Sequence, residues 1–267
     1  MTISSFHTHT RLCKHASGNP VDYVRQAAAD GCSALGFSDH CPYPDGTWSA
    51  SRMTVADVPE YFEMVRAAKA EAAKAAAPFP VFGGFECEWY PAYQSWYRDY
   101  LLAELGAEFL VYGAHWVSDN GDFWYIAEVD DKRLFRRYID LSVEGIRTGL
   151  YAYIAHPDLF LAGFRHMDAE VTAGCIDIID AAVGMDMPLE INGLGLQRAK
   201  IRGDNGLRSP YPVREFWELA AGRGARIICN ADAHRPEDVV KSARDAWAFA
   251  AEIGVKPEDT AKALAFS

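Results

Sequence analysis

The chain has 267 residues, half of them hydrophobic, and a formal net charge of −11. That length allows one large domain or two small ones, and the acidic balance excludes the broad basic surface by which proteins hold nucleic acid. No run approaches the ~20 apolar residues that cross a bilayer. The N-terminus shows no basic stretch followed by an apolar one, so the expected location is cytoplasmic by default.

Apolar runs and helical patterns alternate along the chain. Ile3 to Phe6 leads straight into His7-Thr8-His9, and His15 follows in a loop. Asn19-Pro20 supplies a cap and a first turn for a helix over Val21 to Asp30, which Gly31 stops. Ala34 to Phe37 leads into Ser38-Asp39-His40, and a loop runs from Cys41 to Arg52. Met53 to Ala77, rich in Ala, Glu and Lys, reads as a helix ended by Pro78. Val81 to Phe85 leads into Glu86, and Phe109 to Gly113 leads towards His115. A second loop, Trp116 to Val129, precedes a helix over Asp130 to Arg147. Tyr151 to Ala155 leads into His156, and a helix spans Asp168 to Ala182. Leu189 to Ile191 leads into Asn192 and a third loop, Gly193 to Ser209. Ser209-Pro210 opens a helix stopping at Gly222. Arg226 to Cys229 leads into Asp232-Ala233-His234, and Pro236 opens the last helix, to Glu252.

Seven short runs of continuous apolarity suit a parallel sheet covered on both faces, and the alternation with helices gives an α/β fold. An open doubly wound sheet would gather functional groups at one switch point, from a few strands. Here they follow at least six strand ends, which favours a closed or nearly closed barrel with its active site at the carboxyl ends of the strands. No second domain is visible, so residues 1–267 read as a single domain. The three loops follow strand ends and should overhang the site.

Neutral imidazoles and carboxylates are ligands for borderline divalent metals. Residues two apart on a strand point the same way, so His7 and His9 form a bidentate grip, and Asp232 and His234 repeat it at the last strand. With His15, His40, Glu86, His115 and His156 the set has nine members, too many for one tetrahedral ion. It suits two or three metals, a device used mostly on phosphate esters and similar bonds. His166 fits no strand end and reads as surface. The six cysteines form no CxxC pair and read as reduced packing residues.

This order of motifs resembles the polymerase and histidinol phosphatase (PHP) family: HxH, a loop His, Ser-Asp-His, Gly-x-Glu, Gly-x-His, Ala-His-Pro and Asp-Ala-His. The segments Ser38-Asp39-His40-Cys41-Pro42, Leu189-Glu190-Ile191-Asn192 and Asp232-Ala233-His234-Arg235-Pro236 look like the stand-alone histidinol-phosphate phosphatases of that family. The resemblance implies a distorted (β/α)7 barrel and three divalent metal ions, with zinc, manganese and iron all compatible with the donors. It implies that His7, His9, Glu86 and Asp232 hold the first metal. Glu86 would bridge to a second, bound also by His115 and His156, while His15, His40 and His234 would hold the third. Asp232 and His234 would then be catalytic through a metal-bridging hydroxide that attacks phosphorus.

The expected substrate is a small phosphorylated molecule, with histidinol phosphate first and another phosphorylated metabolite or a nucleotide as the alternative. An amidohydrolase-type enzyme and a non-catalytic metal-binding protein rank below these. Arg198, on a loop after a strand end, is the first choice for binding phosphate, with Arg165, Arg202 and Arg208 as rivals. Glu88 shares a strand face with Glu86 and is the candidate partner for a substrate ammonium. Trp89, Tyr90, Trp116 and Trp124 are candidates for stacking on a ring. Asp39 and Asp158 are expected to orient imidazoles. Oligomeric state is not legible.

Overall fold

In a computed structural model, residues 3–266 are described. The strands are β1 (Ile3–Ser5), β2 (Cys32–His40), β3 (Val81–Cys87), β4 (Leu110–Gly113), β5 (Trp116–Asp119), β6 (Asp122–Tyr125), β7 (Tyr153–Ala155), β8 (Leu189–Asn192), β9 (Ile201–Gly203), β10 (Gly206–Arg208) and β11 (Ile227–Asn230). Seven of them form one sheet in the order β1-β2-β3-β4-β7-β8-β11, each neighbour pair parallel. The chain therefore forms a nearly closed, distorted (β/α)7 barrel.

The seam between the first and last strands decides where the site lies. Its lower part is closed by side chains: Phe6 N–H donates to Asn230 Oδ1 at 2.8 Å, and Ala231 N–H to Ser5 Oγ at 3.0 Å. Above them the backbones pair directly, His9 N–H to Ala233 O at 2.9 Å and Ala233 N–H to His7 O at 3.1 Å. The two candidate ligand pairs at opposite ends of the sequence are thus zipped side by side.

Alternate residues of each strand face inward. The lower interior is filled by Phe6, Phe109, Val111, Tyr153 and Ile228, with Phe266 stacked on Phe6 at 5.5 Å. Gly36 makes room for this plug, since a Cβ there would lie 2.5 Å from the Phe6 ring. The outward residues, such as Leu35, Phe85, Leu110, Ile154 and Cys229, pack under the helices. Above the plug the inward positions become polar: Glu86, Glu88, His156, Glu190 and Asn192, all buried.

The helices are α1 (Pro20–Ala29), α2 (Val58–Ala72), α3 (Lys132–Arg147), α4 (Ala169–Gly184), α5 (Gly193–Gln197), α6 (Arg214–Gly222), α7 (Lys241–Glu252) and α8 (Thr260–Ala263). Asn19 and Asp22 form a capping box before α1, and Asp131 and Asp168 cap α3 and α4. Several expectations need correction. The long helix from Met53 divides: a 3-10 turn at Val55–Asp57, boxed by Thr54 and Asp57, precedes α2, which stops at Ala72. The helix expected from Ser209-Pro210 begins only at Arg214, where Asp158 accepts the Val213 N–H at 2.6 Å. A π-helix at Trp96–Glu104 was not anticipated. Two of the expected loops contain structure: β5 and β6 form a hairpin turned at Asn120-Gly121, and β9 and β10 form another. No helix among the described residues is long and apolar enough to cross a membrane.

Candidate metal centre

Glu86 stands at the middle of the ligand set. Its Oε1 lies 3.0 Å from His156 Nε2, 3.4 Å from His7 Nε2 and 3.5 Å from His115 Nε2. Its Oε2 lies 2.9 Å from His40 Nδ1 and 3.6 Å from His9 Nε2. Asp232 Oδ1 lies 3.2 Å from His9 Nε2 and 3.5 Å from both His7 Nε2 and His234 Nδ1. The His9 ring sits 4.4 Å from that of His40 and 4.3 Å from that of His234, and His15 is 5.2 and 5.0 Å from the same two rings. Eight of the nine candidates therefore line one cavity, and His7 lies buried beside them against Glu86 and Asp232. His15, the loop member, is exposed, whereas His7, His9, His40, Glu86, His156 and Asp232 are buried.

Local backbone shape serves this convergence. Gly113 on β4 lies against Glu86, and a Cβ there would sit 2.1 Å from Glu86 Oε1. His156 and Asp232 have φ of 33° and 52°, a region that side-chain-bearing residues rarely occupy and that clusters at functional sites.

Chemically, the set fits divalent cations. Buried polar atoms are normally hydrogen-bonded. Yet His7 Nε2, both ring nitrogens of His9, His40 Nδ1, Glu86 Oε2 and Asp232 Oδ1 are buried without a hydrogen-bond partner. They are borderline nitrogen and carboxylate donors, and they point at one another. Metal-sized groupings recur within the set, among them His7-His9-Glu86, His7-His156-Asp232 and His9-His40-His234.

The metal-free electrostatics show the same pressure. Burial opposes ionisation of Glu86, but His115, His7 and His40 hold its carboxyl well below the usual range. Asp232 is likewise held low, against burial, by His7, His9 and His234. Burial works against a charged His9, yet Asp232 and Asp39 raise it to about 9. His7 is also raised, against burial, by Asp232, Glu190 and Glu86. Burial and the nearby His9 lower His40 and bring His234 to about 3. Carboxylates here are compensated by protons on neighbouring imidazoles, a role that metal cations fill better.

A ring of hydrogen bonds orients the donors from behind. Glu190 takes the His7 Nδ1 at 2.9 and 3.1 Å and the His156 backbone N–H at 3.0 Å. Asn192 Nδ2 bridges Glu190 and Asp232 at 3.1 and 3.0 Å. Asp39, expected to orient an imidazole, has Oδ1 3.5 Å from His9 Nδ1 and takes the hydroxyl and N–H of Thr10 through Oδ2. Asp158 does not orient one: its Oδ2 takes Val213 N–H and Trp217 Nε1 at 2.6 and 3.1 Å, fastening the start of α6.

Residues 5–193 match the PHP domain family. The chain belongs to the PHP family. Over 256 residues it is 29% identical to "Probable histidinol-phosphatase" of Deinococcus radiodurans, covering 90% of this chain and 92% of that one. Among solved structures it is similar to the histidinol phosphate phosphatase of Lactococcus lactis, crystallised with zinc, L-histidinol and phosphate. That likeness has a TM-score of 0.71 at 16% identity, over 96% of this chain and 95% of the other. It is also similar to a chain from the structures of YwqE of Bacillus subtilis and CpsB of Streptococcus pneumoniae, metal-dependent tyrosine phosphatases, with a TM-score of 0.50 and 14% identity over 95% of this chain and 89% of that one.

Around the candidate ligands the cavity is walled by Arg52, Trp116, Tyr125, Leu159, Arg198 and Tyr211. Arg198 is thus in place, whereas Arg165 and Arg208 spend donors on Ala162, Ser209, Pro210 and Leu161 carbonyls. Glu88 is not at the mouth, and its expected ammonium role is corrected. Its Oε1 takes His115 Nδ1 at 2.8 Å and Arg52 Nη2 at 3.1 Å, and its Oε2 takes the His115 N–H at 2.9 Å. It orients His115 and has no oxygen to spare. Of the aromatic candidates only Trp116 lines the cavity; Trp89 packs against Gly145 of α3. Sequence reasoning missed Glu190 and Arg52. Both had a signal: Glu190 is a carboxylate inside an apolar strand, and Arg52 closes a loop expected to overhang the site.

Proposed function

We propose that this PHP chain, read as one domain over residues 1–267, is a metal-dependent phosphomonoesterase with a trinuclear centre, and that histidinol phosphate is its first candidate substrate. The observation that carries this reading is the Glu86 carboxylate, whose oxygens each face separate groups of imidazoles: His7, His115 and His156 on one side, His9 and His40 on the other. A bridging carboxylate needs that arrangement. The family resemblance divides the ligands as His7, His9, Glu86 and Asp232; Glu86 with His115 and His156; and His15, His40 and His234. The pairing of His115 and His156 on one Glu86 oxygen supports it, while without metal His7 stands on that same side. Divalent cations held there supply Lewis-acid charge to a phosphoryl group and lower the pKa of water.

The protein's part is to fix donors and shape the pocket. Glu190 and Glu88 keep the protons of His7 and His115 on Nδ1, so that Nε2 of each ring faces Glu86. Arg198 offers donors to phosphate oxygens. Trp116, Tyr125 and Tyr211 form a wall on which a ring in the leaving alcohol can stack.

The name of the Deinococcus relative, and the name and the bound histidinol and phosphate of the Lactococcus protein, support histidinol phosphate. One observation favours the second reading, a different phosphorylated metabolite: the acids lining the cavity are Glu86 and Asp232, both turned to imidazoles, so no free carboxylate among the described lining residues meets an ammonium. Phosphate release from histidinol phosphate, beside a panel of sugar, nucleotide and aryl phosphates, tests the proposal. Preference for histidinol phosphate supports the full reading. Preference for another ester keeps the reaction and replaces the substrate. No release from any ester by metal-loaded protein refutes both.

A further inference from the structure

Arg52 is 3% exposed and lines the same cavity as His9, Glu86, His115 and Arg198. A guanidinium carries five N–H donors and never deprotonates in a protein. Here Nη2 is bonded to Glu88 at 3.1 Å, while Nε and Nη1 are buried with no partner. Leaving buried charged donors unpaired is costly, and such groups normally find an acceptor. Within the lining, Glu86 and Asp232 are turned to the imidazoles, and behind it Glu88 is shared between Arg52 and His115. The missing acceptor is therefore one that arrives.

The group is held ready for it. The guanidinium carbon lies 5.4 Å from the Tyr43 ring centre and 5.0 Å from that of Trp48, within cation–π range. Trp48 has a φ of 54°, a left-handed conformation unusual for a bulky side chain. Tyr90, Trp116 and Phe123 pack around Trp48 at 5.6, 6.0 and 4.9 Å. The loop after β2 is thereby clasped to the β5–β6 hairpin, and Arg52 is fixed at the cavity wall.

We propose that Arg52 is a phosphoryl-binding residue, its free N–H groups donating to nonbridging oxygens of the substrate, on the wall it shares with His115. The proposal rests on the phosphomonoesterase reading. It assigns to the same residue the binding of free phosphate, the product that bears the same oxygens.

The test uses metal-loaded full-length protein and inorganic phosphate as the probe. R52K keeps a charge for Glu88 but lacks the planar fork. The expected result is unchanged metal content, with phosphate affinity weakened about 10- to 100-fold and KM for the ester raised by a similar factor. In R52A, added guanidinium should restore part of the phosphate affinity. A variant-free measurement stands beside these: in zinc-loaded wild type, the Arg52 Nε–H correlation in a nitrogen–proton spectrum should move when phosphate is added. The proposal is overturned if that signal stays put, or if R52K binds phosphate within about twofold of wild type while only metal content or melting temperature changes. Wild type that neither binds phosphate nor hydrolyses any ester would overturn the phosphomonoesterase reading instead.

Discussion

His7 gives its Nδ1 to both oxygens of Glu190, at 2.9 and 3.1 Å, and that bond leaves Nε2 to face Glu86 and Asp232. A carboxylate behind an imidazole fixes the tautomer and ring angle and raises ligand basicity. Glu190→Gln should therefore keep the barrel, with unchanged far-ultraviolet circular dichroism, and weaken metal binding about 10- to 100-fold. Chelator competition measures this. Wild-type affinity in the variant would remove Glu190 from the account.

Gly113 makes a second prediction because it is defined by an atom it lacks. A Cβ at this position would lie 2.1 Å from Glu86 Oε1 and 2.5 Å from its carboxyl carbon. Gly113→Ala should push the carboxylate aside, cutting metal content and lowering phosphate release by about tenfold or more. Elemental analysis and a phosphate assay on the same sample check it. Full metal content with full activity would show that Glu86 need not sit where it does.

Asp232 shares Oδ1 among His7, His9 and His234. Asp232→Asn preserves shape, and Asn tolerates the left-handed backbone that this position requires. The variant should fold and lose phosphate release by about 100-fold or more. His9→Ala should do the same. An active D232N would contradict the ligand assignment.

Much of the site could be read from the sequence, and the reason is geometric. Strand ends at the carboxyl edge of a barrel all open on one face, so His7, His9, Glu86, His156 and Asp232 could be placed together without knowing any distance. Two neighbours escaped because their roles depend on three-dimensional partners. Glu190 orients His7 across 183 positions of sequence, and Arg52 meets Glu88 across 36. Glu88 was misplaced for the opposite reason: alternation puts it on the inward face with Glu86, but it cannot reveal that the next strand delivers His115 onto it. In the fold, the seven strands followed from apolar runs, whereas the β5–β6 hairpin lay inside a presumed loop although Asn120-Gly121 is a strong turn signal. The late start of α6 depends on Asp158, which no local pattern connects to Val213.

A pH dependence of metal uptake follows from the metal-free charges. Against burial, Asp232 and Asp39 raise His9 to about 9, and carboxylates also raise His7 and His115. Ligand imidazoles must be neutral to bind metal. His9 is protonated at neutral pH without metal and must release its proton, and the upward shifts of His7 and His115 act in the same direction, so affinity should rise as pH increases, with the His9 contribution levelling off only above about 9. The sign is the usual one for raised imidazoles: their proton-bound contribution is present below the unfolded value and is lost as pH rises through the folded one. Titration calorimetry of the stripped protein with zinc, in buffers of different ionisation enthalpy, should show net proton release at pH 7. No release, or affinity that falls as pH rises, would contradict the charge pattern.

The central claim is that side chains from the first strand to the last hold one cluster of divalent cations around Glu86. Anomalous diffraction from metal-replete crystals, recorded at the absorption edge of the bound element, tests it most directly. The account predicts peaks about 2.0–2.2 Å from the ring nitrogens and carboxylate oxygens of His7, His9, Glu86, His115, His156 and Asp232, with a further one among His15, His40 and His234. A replete protein with no peak against Glu86, or with its metals bound elsewhere, would contradict it.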